Sequence, residues 1–142
     1  PNAYGLIGNQ ANLIEGGKRP LSSMSPTFVE TDNKVAILGT PGGSRIISMV
    51  LLGILDFEKD RFPESWVSVP RYHHQYIPDE IQYEKQGLTK EEQLGLQGLG
   101  HRLSEKNRQY GNMQAIMYFK PTHYMMAASD PRGEGKAIVF RY

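Results

Sequence analysis

The stretch "VAILGTPGGSRIISMVLLGILDF" (residues 35–57) decides how the rest of the chain is read. A β-branched run ends at Pro41, Gly42 and Gly43, and a long apolar segment begins almost at once. Ile46, Ile47, Met49, Val50, Leu51, Leu52, Ile54, Leu55 and Phe57 leave only a thin polar strip of Arg45, Ser48 and Asp56. A helix apolar nearly all round is expected to be buried on more than one side, as in a layered arrangement. The glycine pair therefore stands between a strand and a buried helix. Helix starts leave N–H groups without intrahelical partners, and the helix dipole adds partial positive charge there. Glycines let such a turn become concave and let a ligand approach without Cβ interference. A phosphate, a carboxylate or the oxyanion of a tetrahedral intermediate would each suit the turn. "GTPGGSR" lacks the Lys-Ser/Thr ending of a P-loop, and no G-x-G-x-x-G follows the strand. Taken alone, a tight strand-to-helix turn is the better explanation of Gly42 and Gly43, because strand-to-helix turns with glycine are common.

Working outward, "TFVET" and "KVAIL" around Asp32-Asn33 read as a β-hairpin. Residues 1–26 mix Gly, Asn, Pro and Ser without periodicity and read as an ordered loop. A loop of that length in a compact domain is usually functional or else the sign of a misassigned element. Beyond the long helix, residues 58–86 contain three prolines and read as a helical turn, an extended piece and a short strand over 80–84. "TKEEQLGLQGLG" opens on Thr89 with Glu92 three residues later and closes in glycines, a capping-box start and a C-cap stop. "HRLSEK" reads as a strand. "MQAIMYF" and "YMMAASD" read as paired strands joined through Pro121, and "KAIVFRY" as a tail strand. The class is α+β, and residues 1–142 read as one domain.

Bulk composition narrows the function. Sixteen basic and fifteen acidic residues leave a formal charge of +1, so a nucleic-acid partner has little electrostatic support. With no cysteine there is no disulfide, thiolate metal site or cysteine nucleophile. The longest apolar segment is too short to cross a bilayer, and the first residues show no signal segment. The abrupt opening, "PNAYGLIGNQ", reads as the middle of a longer protein.

Two further clusters carry polar chemistry. "RPLSSMSP" (19–26) places the hydroxyls of Ser22 and Ser23 side by side in a loop flanked by prolines, with Ser25 as a helper. Such a doublet can donate to a carboxylate. It is also an ordinary serine-rich turn, and it is not a G-x-S-x-G elbow. In "RYHHQYIPDE" (71–80), adjacent histidines on an extended chain point to opposite sides and converge poorly on one ion. His73 and His74 are therefore read as structural hydrogen-bonders, with Arg71 pairing Asp79 or Glu80. In "ASDPRGEG" (128–135), Asp130 and Arg132 are expected to lock a loop.

"PLSSMSPT", "GTPGGSRI", "PRYHHQYIPDE" and "ASDPRGEG", in this order and spacing, resemble the C-terminal part of the small subunit of γ-glutamyltranspeptidases. The resemblance covers essentially the whole chain. It implies a four-layer αββα N-terminal-nucleophile hydrolase fold, made by autocatalytic cleavage of one precursor into large and small subunits. It also implies transfer of a γ-glutamyl group from glutathione or related amides, through an acyl-enzyme, to water or to an amino acid or peptide. Ser22 and Ser23 match the positions that bind the substrate α-carboxylate, and Gly42 and Gly43 those whose backbone N–H groups form the oxyanion hole. The family's nucleophile is a threonine at the new N-terminus of the small subunit, which lies upstream of residue 1. Thr27, Thr31 and Thr40 are internal and are not assigned that role. Thr40 stands where a serine is often found and keeps a hydroxyl. No cofactor and no metal are implied. The implied partners are the large subunit and the N-terminal part of the small subunit, in a periplasmic or secreted compartment, and the chain alone is expected to be inactive. The competing readings are a stand-alone anion-binding module and a non-catalytic relative.

Overall fold

A computed structural model describes residues 8–140. The opening "PNAYGLI" and the last two residues lie outside the described residues. The hairpin forms as its sequence requires: β1 (Thr27–Glu30) and β2 (Lys34–Gly39) pair antiparallel about Asp32-Asn33, with Thr31 N–H donating to the Lys34 carbonyl at 2.9 Å. β6 (Gln114–Phe119) and β7 (Tyr124–Ser129) complete an antiparallel sheet in the order β1-β2-β6-β7. A second, smaller sheet contains β3 (Tyr72–His73), β4 (Ile81–Glu84) and β5 (Leu103–Lys106). Three helices join them: α1 (Ile46–Glu58), α2 (Pro63–Ser68) and α3 (Lys90–Gly98). The capping box on α3 is present, with Thr89 Oγ1 accepting from Glu92 N–H at 3.2 Å and the Glu92 carboxylate accepting from Thr89 N–H at 2.7 Å.

Alternation along the strands decides what each sheet face meets. The rows Thr27–Leu38–Ala115–Ala128 and Val29–Ala36–Met117–Met126 face α1 and α2, where Ala36, Leu38, Ala115 and Met117 are buried. α1 packs so closely on β2 that a Cβ at Gly53 would lie 3.0 Å from Leu38 Cδ1. Phe57 and Trp66 close the far end of this core edge to face, 5.6 Å apart. The opposite sheet face carries the row Phe28–Ile37–Ile116–Ala127, on which Phe28 is 70% exposed. This face is apolar and only partly covered.

Two expectations need correction. α1 is buried on one side only: Ile47 and Leu51 are 62% and 52% exposed, because nothing in the described chain covers the outward face. The tail also forms no strand among the described residues. Residues 136–138 instead border a groove of 590 Å³ on the open sheet face beside Ile37, Ile116 and Ala127.

A third correction concerns charge. Arg71, 1% exposed, does not pair with Asp79 or Glu80. Asp79 is taken by His74 (2.9 Å), and Glu80 by Gln82 and Lys106. Arg71 instead reaches inward to Asp130 and donates to the carbonyls of Tyr110 and Val67. Asp130 Oδ2 also accepts from Met113 N–H at 2.9 Å, while Oδ1 accepts from Arg132 N–H at 2.9 Å. Arg132 grips Glu84 with two nitrogens, at 3.0 and 2.6 Å, so the expected Asp130–Arg132 lock is the outer half of a larger cluster. Two guanidiniums and two carboxylates compensate one another, which makes the burial tolerable.

Burial pushes the Asp130 carboxyl up, but the Met113 and Arg132 amides and the Arg71 guanidinium outweigh it and hold the group below the usual carboxylate range. Its contribution to stability is thus present above the pKa of an unfolded aspartate and is lost as pH falls through the lower folded value. Arg71→Met, which leaves the buried Asp130 carboxylate with only one of its two guanidinium partners, is expected to cost up to about 3–5 kcal/mol. The shift of the urea midpoint at neutral pH measures that cost, and acidification below about pH 4 should shrink the difference.

Candidate active site

The glycine turn is built by what lies on either side of it. β2 ends at Gly39, and Thr40 is held there by its hydroxyl, which accepts from Asn112 N–H at 3.2 Å. Gly42 then adopts φ 148° and Gly43 φ 58°, conformations that side-chain-bearing residues rarely take. A single 3-10 turn, Gly43–Arg45, leads into α1, with Arg45 N–H bonded to the Gly42 carbonyl at 3.2 Å. The Gly42 and Gly43 amides precede the first intrahelical donor, and neither donates to another described residue. The turn thus offers two adjacent N–H groups at the head of a helix, a donor pair suited to an anionic oxygen.

The serine doublet lies at the same end of the sheet. Because Thr27 pairs with Leu38, β1 begins at the end of the sheet from which β2 leaves toward the glycines. Pro26 and Thr27 border the same groove as Leu38 and Gly39. Ser22 is exposed, and its Oγ accepts from Met24 N–H at 3.1 Å. The Ser23 carbonyl accepts from Ser25 Oγ at 3.1 Å, so Ser25 braces the turn. The Ser23 hydroxyl itself bonds no other described residue.

Gly42 also borders a cleft of 720 Å³ together with Arg45, Lys106, Arg108, Tyr110 and Arg132. Its lining holds four cations and no carboxylate, and neither Ser22 nor Ser23 reaches it. Arg45 lies over the Tyr110 ring, 4.9 Å from its centroid, and donates to Gln82 Oε1 at 2.7 Å. Burial, with Glu84 nearby, pushes the Tyr110 hydroxyl up to about 12, so it remains a neutral phenol.

His73 and His74 behave as hydrogen-bonders, to Ser48 and Gln75 and to Asp79 respectively. Among the described residues no group of three His, Cys, Asp or Glu side chains converges for a metal ion. None of their helices is long and apolar enough to cross a membrane. The sequence reading missed Gln75, Arg45 and Tyr110. An amide directly after two histidines was the one local signal for Gln75. Nothing local announces that Tyr110 meets Arg45 across 65 positions.

The family model for Gamma-glutamyltranspeptidase matches residues 1–140. The chain belongs to the γ-glutamyltranspeptidase family. It is 41% identical over 93% of its length to the glutathione hydrolase proenzyme of Escherichia coli K12, and 42% identical over 99% to that of Pseudomonas aeruginosa. It spans about a quarter of those relatives, 23% and 26% of their lengths. Among solved structures it resembles the γ-glutamyltranspeptidase of Helicobacter pylori, with a TM-score of 0.84 and 42% identity over 94% of this chain and 73% of that one. The α+β arrangement is therefore that of the N-terminal-nucleophile hydrolase fold of γ-glutamyltranspeptidases.

The turn geometry carries a direct prediction. A Cβ at Gly42 would lie 2.6 Å from the buried Met49 Cε, on a backbone that alanine resists. Gly42→Ala is expected to destabilise the fold by about 1–3 kcal/mol, measured by thermal or urea denaturation. An unchanged midpoint would show that the turn relaxes freely.

Proposed function

We propose that this chain is the C-terminal part of the small subunit of a γ-glutamyl transferase/hydrolase, and that residues 1–142 supply two of its substrate contacts. The observation that carries the reading is the pair of unengaged amides, Gly42 and Gly43, at the same end of the sheet as the serine doublet. A γ-glutamyl amide such as glutathione has an α-carboxylate at one end of the glutamyl group and the reacting carbonyl at the other. The Ser22 and Ser23 hydroxyls donate to the carboxylate, while the two amides receive the oxygen of the γ-carbonyl as it becomes negative.

The chemistry follows from those positions. A nucleophile supplied by the rest of the protein, a threonine hydroxyl by family resemblance, adds to the γ-carbonyl carbon. The carbonyl π electrons move to oxygen, where the amides stabilise the charge; one such donor is typically worth ~3 kcal/mol. Collapse re-forms the carbonyl and expels the amine, whose nitrogen takes up the proton given up by the attacking hydroxyl, leaving a γ-glutamyl ester. Water or an amino group then repeats the addition and releases glutamate or a new γ-glutamyl amide. Anchoring the carboxylate limits the orientations that the carbonyl explores, which lowers the barrier through positioning. No step requires a cofactor.

The described residues leave two apolar surfaces open, the outer sheet face and the Ile47–Leu51 stripe of α1. Those faces fit a piece that completes its layers with the remainder of the small subunit and with a large subunit, and that is inactive alone. A periplasmic or secreted location accompanies the same reading.

In the processed full-length enzyme, Ser22→Ala combined with Ser23→Ala is expected to raise KM for a γ-glutamyl anilide by about 10-fold to 100-fold. This range corresponds to one or two bonds to a charged group. The change in kcat should be smaller. Steady-state kinetics checks it, and a KM within twofold of the parent would refute the carboxylate assignment.

A further inference from the structure

The histidine-glutamine motif at residues 73–75 has no part in the chemistry above, yet it touches the helix that begins at the glycine turn. Ser44, the residue after Gly43, donates its hydroxyl to Gln75 Oε1 at 2.7 Å. His73 Nε2 lies 2.9 Å from the same Oε1, and His73 Nδ1 lies 2.7 Å from Ser48 Oγ, one turn further along the helix. The Gln75 amide nitrogen donates to the Ile77 carbonyl. That last bond fixes the amide orientation, because a flipped amide would set two oxygens against each other. With Oε1 as acceptor, His73 Nε2 must carry hydrogen, so Nδ1 of the neutral ring accepts from Ser48 Oγ–H. One chain of groups, Ser44–Gln75–His73–Ser48, therefore ties the first residue past the glycines and the next helical turn to β3.

We propose that Gln75 and His73 are positioning residues that hold the Gly42–Gly43 amides in the orientation an oxyanion requires. This inference rests on the oxyanion reading given under Proposed function. Two adjacent glycines give the concave turn but also the freest backbone available, and loose donors stabilise a developing charge poorly. Anchoring the Ser44 hydroxyl restricts rotation about the Gly43–Ser44 link, and anchoring Ser48 stops the first helical turn from rolling. The glycines are thus held from outside by side chains that never meet the substrate. Burial, with Arg45 and His74 adding positive charge nearby, holds the His73 imidazole below its ordinary value and hence neutral at pH 7, the form this bonding pattern needs.

The test uses the processed full-length enzyme that carries this chain, with a γ-glutamyl anilide as substrate. Gln75→Leu removes the shared acceptor and is expected to lower kcat by about 10-fold to 100-fold, the scale of a donor displaced by a fraction of an ångström to an ångström, with KM within about twofold. Gln75→Glu keeps the acceptor oxygen for Ser44 and His73 but sets its second oxygen against the Ile77 carbonyl, so it should recover only part of that loss. Ser44→Ala deletes one hydroxyl and should move kcat in the same direction by less; it decides the matter if Gln75→Leu does not fold. Unchanged kcat in these variants, or a raised KM with kcat preserved, overturns the proposal. If the parent enzyme shows no γ-glutamyl transfer or hydrolysis, the functional reading fails, and the imidazole nitrogen-15 spectrum then decides the clamp independently. An Nε2–H tautomer of His73 that changes in Gln75→Leu supports it. The opposite tautomer, or no response, overturns it.

Discussion

The buried pairing of Arg71 with Asp130 is the constraint from which the rest of the structure follows. An uncompensated charge cannot remain inside a protein of this size, so each partner must be saturated. Saturating Arg71 takes the carbonyls of Tyr110 and Val67; saturating Asp130 takes the amides of Met113 and Arg132. These bonds bring together the end of α2, the segment before β3, the entry to β6 and the exit of β7. Arg132 then extends the cluster to Glu84 at the end of β4, and so joins the small sheet to the large one. The cluster also reaches the glycine turn by a short route. Met113 is held by Asp130, its neighbour Asn112 bonds Thr40, and Thr40 stands two residues before Gly42. Charge compensation in the interior thereby fixes the strand end from which the donor pair projects.

How much of this was legible in the sequence depends on how local each signal is. The β1–β2 hairpin, the capping box at Thr89 and the β6–β7 pair could be read because turn chemistry, a cap and alternation all lie within a few residues. The glycine turn and the serine doublet were also legible as local motifs, though their shared end of the sheet is visible only in the Thr27–Leu38 register. Arg71 was assigned to the wrong partner because proximity in sequence favoured Asp79 and Glu80, whereas the interior selected a carboxylate 59 positions away. The apolar tail suggested a strand, but a strand needs a partner edge, and composition does not reveal whether one is free. Gln75 was overlooked for a related reason. Its importance comes from meeting Ser44 across 31 positions, and no spacing rule encodes that meeting.

The same distinction explains the apolar surfaces that remain open. Ile47 and Leu51 on α1, and Phe28 and Ile37 on the outer sheet face, have the composition of core residues and the exposure of surface residues. Sequence patterning marks α1 for burial on more than one side, whereas among the described residues it is buried on one side only. The chain spans about a quarter of its curated relatives, which leaves most of their length available to cover such faces. The proposed site has the same character. In the proposed reading it grips both ends of a glutamyl group while the attacking group comes from elsewhere, and its oxyanion donors are main-chain amides that only a well-anchored fold can aim.

The most direct measurement is a ligand-bound structure of the processed full-length enzyme with glutamate, the product of hydrolysis. The α-carboxylate should lie within hydrogen-bond reach of the Ser22 and Ser23 hydroxyls, with a γ-carboxylate oxygen about 3 Å from the Gly42 and Gly43 nitrogens. Glutamate seated elsewhere, or glycine amides already bonded to neighbouring carbonyls with the ligand present, would contradict the assignment of this turn as the oxyanion hole.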